Sequence, residues 1–312
     1  MDVPQLRTLI HVAELGSLSK AADRLHIAQP ALSRQIRLLE QELGVRLFNR
    51  HGRGMVATEE GQDVLRHALR IMAELEEIRA VVSDENAPLR GHVSIGMPPT
   101  ASDILAEPLV SAFRDTHPDA TLRIVSAYTG YLLDWMQRGE LDAAILYDPK
   151  SARTLRVQPL LEETLFLIGP PESGLSLERP VEFAALQNLQ LLLPSRSHGL
   201  RILVDRYAEE AGVPLRIKVE ADSYSTLKSL VRNGHGVTVL PLAPIHEELE
   251  SGRLEAAPLV NPVPVRRLMM SYPSDRPTPR LARFAGQAIA STIGTLVERG
   301  IWSGRVLPAG SA

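Results

Sequence analysis

Apolar residues near the start of the chain recur at helical spacing. Leu6, Leu9, Ile10 and Ala13 share one face, and Gly16-Ser17 ends that segment and restarts the chain. Ser17 or Ser19 can cap a short second helix carrying Ala21, Ala22 and Leu25. After His26-Ile27-Ala28, Pro30 sits where a first helical turn tolerates it. Leu32, Ile36, Leu39 and Leu43 then line a third helix, with Gly44 at its end. Leu47 to Val56 predicts a short hairpin with Arg50-His51-Gly52-Arg53-Gly54 at its tip. Three short helices and a hairpin make a winged helix-turn-helix head over residues 1–58.

Thr58-Glu59-Glu60-Gly61 opens a long helix, Thr58 being its natural N-cap with acids in the first turn. Val64, Ala68, Ile71, Leu75, Ile78 and Val82 follow at alternating spacings of four and three. That is the spacing of two helices packed side by side, so residues 59–88 read as a dimerisation linker that ends in a polar hinge, Ser83 to Pro88, the competing account being one helix lying on its own domain. From Leu89 onward short apolar runs alternate with helical stretches. Strands are expected near 92–96, 122–127, 143–147, 164–168, 191–193, 217–221, 237–240 and 267–272, and helices near 104–117, 130–138, 200–212, 226–233 and 279–300. Such alternation predicts an α/β body with largely parallel sheets. The order of elements after Thr164 repeats the order after His92, which suggests two similar lobes, lobe I at about 89–162 and 266–302 and lobe II at about 163–265. The Gly/Pro/Ser-rich tail from Ser303 is expected to fray.

Length, 312 residues, leaves room for two or three domains. Absence of cysteine removes disulfides, thiolate nucleophiles and Cys-based metal sites. No apolar run approaches the ~18 residues needed to span a bilayer, and the first twenty residues lack the pattern of a secretion signal, so the cytoplasm is the expected compartment and no membrane partner is expected. The formal net charge of −3 conceals an asymmetry. Residues 1–58 hold eight Lys/Arg against five Asp/Glu, a net of +3, and the remaining 26 against 32 leave −6. A basic head on an acidic body points to double-stranded DNA as the head's partner.

A recognition helix enters the major groove and reads base edges with residues near its N-terminus. Gln29 can pair with adenine, Arg34 with guanine or a phosphate, and Ser33 with either base or backbone. Arg53, between two glycines at the hairpin tip, can enter a narrow minor groove. Pro30, Arg37 and Arg50 complete the candidate DNA-contacting set, whose helix-turn-helix core runs from Leu18 to Arg37.

Taken together these motifs are more specific than a generic helix-turn-helix. Gly16-Ser17-Leu18-Ser19-x-Ala21-Ala22, then Leu25 through Ile36, then Leu39-Glu40-x-Glu42-Leu43-Gly44-Val45-Arg46-Leu47-Phe48-x-Arg50 and Thr58-Glu59-Glu60-Gly61 closely resemble the LysR-type transcriptional regulators. The Ile27-Ala28-Gln29-Pro30 variant resembles the nitrogen-assimilation-control branch. One departure matters: many family members carry Ser or Thr where this chain has Ala28, and losing a capping hydroxyl costs about 1 kcal/mol. The resemblance implies a long dimerising linker helix, a body of two Rossmann-like lobes of the periplasmic-binding-protein type, an inverted-repeat operator, a dimer or dimer of dimers, and RNA polymerase as a candidate further partner.

In open α/β sheets, ligands bind beyond the carboxyl ends of strands, where helices present their N-termini. Four such junctions are rich in small hydroxyls, and the resemblance gathers them around one interlobe cleft. They nominate Thr100, Ala101, Ser102, Thr129, Ser195, Arg196, Ser197, His198 and Thr226 for a small, anionic effector, although Asp103 and Asp222 add negative charge nearby. Ordinary helix capping is the competing account, and a regulator controlled by abundance alone is the corresponding alternative function. No catalytic, metal or cofactor constellation stands out: Ser195 and His198 lack a Gly-x-Ser-x-Gly elbow, and the nine histidines show no ligand spacing. A solute-binding protein would suit the body alone but needs a secretion signal and no DNA-binding head.

Overall fold

In the computed structural model, residues 1–51, 54–81, 88–149 and 154–308 are described. The chain forms two compact units, residues 1–92 with 119–121, and residues 93–118 with 122–312. Arg53 and Val82 lie outside the described residues, as do most of the hinge and the side chain of Arg50.

The first unit comprises α1 (Val3–Leu15), α2 (Leu18–Leu25), α3 (Gln29–Leu43), the antiparallel hairpin β1 (Phe48–His51) with β2 (Gly54–Ala57), and α4 (Glu59–Val81). Asp2 and Gln5 close a reciprocal capping box on α1, and Ser17 caps α2. Leu6, Leu9, Val12, Ala21, Leu32, Leu39 and Leu47 are fully or nearly fully buried in one core. The hairpin is pinned to the α1–α2 turn, where Met55 N donates to the Gly16 carbonyl at 2.8 Å. Thr58 caps α4 as expected, accepting from Gly61 N at 2.9 Å while its hydroxyl donates to the Arg46 carbonyl at 2.7 Å. Gly61 is required there for space, because a Cβ would stand 2.0 Å from the Leu47 carbonyl oxygen.

The seam of α4 divides in two. Ala68 is fully buried in the head core and Val64 packs against that core, so Ala68 is spent within the chain rather than on a partner. Further along, Ile71 and Ile78 remain 40% and 60% exposed and Leu75 is half-buried. A stripe that packs on α1 near its start and is open beyond it explains why the spacing alone could not separate the two uses.

The second unit carries two sheets. Lobe I is six-stranded, in the order β14-β6-β13-β5-β3-β4, from β3 (Gly91–Met97), β4 (Ala120–Ser126), β5 (Ala143–Tyr147), β6 (Leu155–Thr164), β13 (Val265–Pro273) and β14 (Gly304–Val306). Lobe II holds β7 (Phe166–Gly169), β8 (Val181–Glu182), β11 (Thr238–Leu240) and β12 (Glu255–Val260) in the order β11-β7-β12-β8. The parallel pair β9 (Leu191–Leu193) and β10 (Ile217–Glu220) joins that sheet through the Leu191–Val237 bridge. Helices α5 (Pro99–Thr116), α6 (Thr129–Gln137) and α10 (Arg280–Glu298) belong to lobe I, and α7 (Gly199–Ala211), α8 (Tyr224–Arg232) and α9 (His246–Glu250) to lobe II.

The sheets are mixed rather than largely parallel. β3–β5, β9–β10 and β8–β12 run parallel, but β13 is antiparallel to both β5 and β6, and β7 to both β11 and β12. The reason is the connection between lobes: β6 carries the chain out of lobe I and β13 brings it back, so the two run in opposite directions. The tail also departs from expectation. Residues 304–306 form β14 on β6, and Trp302, 2% exposed, anchors that turn in the core. Among the described residues, no helix is long and apolar enough to cross a membrane.

Gly61→Ala should therefore cost about 1–3 kcal/mol, since a methyl group must displace backbone. Thermal unfolding followed by circular dichroism would read this as a lower Tm; an unchanged Tm would mean that α4 does not abut the hairpin as closely as described.

Candidate functional site

The recognition helix α3 begins without a side-chain cap, as Ala28 at its N-cap position dictates. Gln29, Pro30, Arg34 and Arg37 are exposed along its start and Ser33 is half-buried. Among the described residues neither Arg34 nor Arg37 is held in an ion pair. Ser33 and Arg37 line a shallow pocket with Leu18, Ile36, Glu40, Phe48 and Met55. Glu40 is occupied in fixing the exit from α3, accepting from Leu47 N at 2.8 Å and Phe48 N at 3.3 Å. Gln35 is turned inward to accept from the Thr8 hydroxyl, which locks α3 onto α1. The helix thus presents a polar, cationic edge from a rigid base, the geometry a major-groove reader needs.

In the body all four strand-to-helix junctions form, yet they differ in kind. α7 and α8 are capped by their own residues: His198 Nδ1 accepts from Leu200 N at 3.1 Å, and Ser223 accepts from Thr226 N at 3.4 Å. Ordinary capping therefore accounts for these two ends. α5 and α6 start at Pro98 and Tyr128, neither of which supplies a side-chain cap. Pro99 has no N–H, and Ala101 N and Ser102 N donate to the Pro98 carbonyl at 3.0 and 2.8 Å, so Thr100 N is the open donor of α5, beside those at the start of α6.

Thr100, on the first turn of α5, lies 2.9 Å from the Tyr147 hydroxyl. Arg266 Nη2 donates to both, at 2.9 Å to Tyr147 and 3.4 Å to Thr100, while its guanidinium carbon stands 3.6 Å over the Tyr147 ring. The Nε edge of Arg266 pairs with Glu163, whose other oxygen accepts from Trp302 Nε1 at 2.7 Å. Thr129 accepts from Tyr147 N at 3.4 Å, tying α6 to the same cluster. On lobe II, Ser195 donates through both N and Oγ to Asp222 Oδ1, at 2.8 and 2.7 Å. The Tyr128 hydroxyl reaches across from lobe I to the Asp222 carbonyl, and its ring meets His198 edge-on at 4.4 Å between centroids.

Electrostatics follow from these contacts. Burial pushes the Tyr147 phenol far above its ordinary range, so it remains a protonated donor. Arg266 stays charged, because Glu163 and the ring beside it outweigh its desolvation. Burial, with Arg266 nearby, lowers His198 and keeps the imidazole neutral, while the Ser195 hydrogen bonds hold Asp222 below the usual carboxylate range.

Of the residues expected at this site, the structure brings Thr100 and Thr129 into one cluster and Ser195 and His198 into a second. Ala101 is fully buried in lobe I and offers the cleft no side chain, a correction that follows from its position on the inner face of α5. Arg196, Ser197 and Thr226 are exposed, and Ser102 is half-buried. Sequence reasoning missed Tyr147, Arg266, Glu163, Trp302 and Tyr128. Arg266 and Glu163 are register partners across β13 and β6, separated by about a hundred residues, so no local pattern pairs them. Among the described residues, no group of three or more His, Asp or Glu could hold a metal ion.

Residues 3–62 match the bacterial regulatory helix-turn-helix model of the lysR family, and residues 86–291 match the LysR substrate-binding domain. The chain belongs to the LysR family. This LysR-type transcriptional regulator is 32% identical to the regulator BbuR of Bordetella bronchiseptica, over 97% of the chain and 94% of the relative. It is 33% identical to the nitrogen assimilation regulatory protein nac of Klebsiella aerogenes over 77% of the chain and 78% of the relative. Two such similar identities single out no one branch. A structure of Corynebacterium glutamicum OxyR, a C206 mutant, superposes with a TM-score of 0.70 at 26% identity, covering 96% of each chain. Full-length CbnR complexed with its target DNA shares the fold at a TM-score of 0.62 and 21% identity, over 94% of this chain and all of that one.

Breaking the buried pair in this LysR-type regulator should cost far more than replacing it. Glu163→Ala leaves Arg266 uncompensated and is expected to lose about 3–5 kcal/mol, whereas Glu163→Leu combined with Arg266→Met should recover most of that loss. Urea unfolding of the three proteins would decide; equal stability of the single variant and the parent would mean that the pair is open to water.

Proposed function

We propose that this protein regulates transcription by binding an interrupted inverted repeat as a dimer, and that a small effector carrying an anionic group, bound between the two lobes, changes how the dimer sits on DNA. The observation that carries the effector reading is the open start of α5 and α6 around Arg266, Tyr147 and Thr100, a donor-rich cluster whose buried Glu163 is bound to Arg266 and whose other acidic neighbours are Asp148 and Asp103. Gln29, Ser33 and Arg34 read bases, Arg37, Arg50 and Arg53 hold the backbone or minor groove, and Pro30 sets the start of the helix. Ile71, Leu75 and Ile78 supply the dimer seam, with a dimer of dimers formed through the bodies and RNA polymerase met at the promoter. Such work places the protein in the cytoplasm with the DNA and needs no catalysis.

The named relatives do not transfer their signals. Further relatives, in Mycobacterium leprae and Escherichia coli, are called hydrogen peroxide-inducible genes activators, and this chain, having no cysteine, cannot form a disulfide or a sulfenic acid. Its switch is binding rather than thiol oxidation.

Selection of bound genomic fragments by the purified protein at fixed salt tests the reading. Enrichment of an interrupted inverted repeat is expected, and uniform, salt-sensitive binding would overturn it. On the enriched site Arg34→Ala should lose about 1–3 kcal/mol of binding and relax preference at one base pair in each half-site. An equal loss on all sequences would reassign Arg34 to a phosphate.

A further inference from the structure

The cleft carries donors at one end and a carboxylate at the other, and this limits what can occupy it. At the lobe I end Arg266, Thr100 and Tyr147 are gathered as donors, while Asp103, three residues further along α5, is turned to Tyr224 of lobe II. Arg266 Nη2 donates to both the Thr100 and Tyr147 hydroxyls, which lie 2.9 Å apart and share one proton between them. Two hydroxyls bring two protons, so one is left over, for which the Glu163 carboxylate beside Tyr147 and an outside acceptor at the uncapped starts of α5 and α6 compete. Because Glu163 takes the far edge of the guanidinium, the ion pair acts here as a dipole with its positive end toward the hydroxyls.

The lobe II end is an acceptor. Asp222 spends one carboxylate oxygen on Ser195 and keeps the other, Oδ2, free of any hydrogen bond among the described residues. His198 stands between the ends and feels both charges, that of Arg266 and that of Asp222. With Nδ1 accepting from Leu200 N, the neutral ring carries its proton on Nε2. Counting charges, Arg266 and Glu163 cancel, Asp103 and Asp148 add acid on lobe I, Asp222 stands against only the exposed Arg196, and a dianion would bring negative charge to an acidic rim.

We propose that the cleft takes a small zwitterion, with its carboxylate on Thr100, Tyr147 and the α5 and α6 starts and its protonated amine on Asp222. The inference rests on the reading of this cleft as the effector site and adds the class of effector.

The test is calorimetric titration of the full-length protein with the proteinogenic L-amino acids and ω-amino acids of three to six carbons, beside deaminated monocarboxylates and dicarboxylates of the same lengths. An amino acid is expected to bind at least tenfold more tightly than its deaminated counterpart. Asp222→Asn should erase that preference while changing affinity for the monocarboxylate by less than about threefold, and Asp222→Glu should restore it in part. Thr100→Val should weaken both classes together, with melting curves of each unliganded variant confirming that it folds. Tighter binding of a dicarboxylate, or equal weakening of both classes by Asp222→Asn, overturns the zwitterion while a shifted DNA footprint with that dicarboxylate keeps the effector reading. If no compound in any class binds, the effector reading falls and takes the zwitterion with it.

Discussion

The body depends on one antiparallel pairing. β6 and β13 are the strands by which the chain leaves lobe I and returns, and they are hydrogen-bonded neighbours from Leu155 to Thr164 and from Val265 to Pro273. At the end nearest the crossing, the same register sets Glu163 opposite Arg266. Both side chains are almost wholly buried, so neither charge is tolerable alone. Such a pair adds little to stability compared with well-packed apolar residues. What it does is fix a guanidinium in a place where only its outer edge remains usable. Tyr147 on β5 and Thr100 on α5 are then held against that edge, and Trp302, brought in by the turn that leads to β14, holds the other side of the carboxylate. A polar network tied together by such mutual hydrogen bonds is rigid, and this one spans the three strands β5, β6 and β13, the start of α5 and the turn before β14.

The head solves a different problem. Its recognition helix must show polar side chains to solvent while remaining fixed, and it does so by committing one face to Leu32, Ile36 and Leu39 and by turning Gln35 onto Thr8. Glu40 holds the exit toward the hairpin, and Met55 N holds the hairpin to the α1–α2 turn. Only the start of α3 is left weak, because Ala28 gives its first N–H groups no side-chain partner. Pro30 has no N–H and Ala31 N donates to the Ala28 carbonyl at 2.9 Å, so Gln29 N is the donor that the missing cap leaves open.

Legibility in the sequence followed the range of the interaction. Most helix starts and stops, the hairpin, the Thr58 cap and the four strand-to-helix junctions are set by residues within a few positions of one another and stand where the pattern puts them; α5 is the exception, beginning at Pro99 rather than near 104. The missed features are those made across long separations. β6, β12 and β14 lack a clean alternation because their faces are set by neighbours elsewhere in the chain. Arg267 and Arg305, both paired with Glu162, are exposed on the face opposite the buried Arg266, and the sequence does not say which of the neighbouring arginines is the buried one. The hydroxyl-rich junctions were legible as a group, but which hydroxyls cap and which line the cleft depends on packing: His198 and Ser223 serve their own helices, whereas Thr100 and Thr129 serve Tyr147.

Two covalent passages join the lobes, and across the cleft α5 packs against the buried turn Ala243–Ile245 of lobe II. Tyr128 from lobe I also donates to the Asp222 carbonyl and leans on His198, and Tyr224 of lobe II feels Asp103 from α5. Each of these polar contacts is on the scale of one hydrogen bond, net about 1 kcal/mol. To change which lobe arrangement prevails, a ligand needs a differential affinity rather than a large one. A ligand touching only lobe I would bind every arrangement alike and switch nothing. One that reaches from the Arg266 cluster to Asp222 can do so at a single lobe separation, and that requirement is what makes a charge at each end of the cleft a means of control rather than merely of recognition.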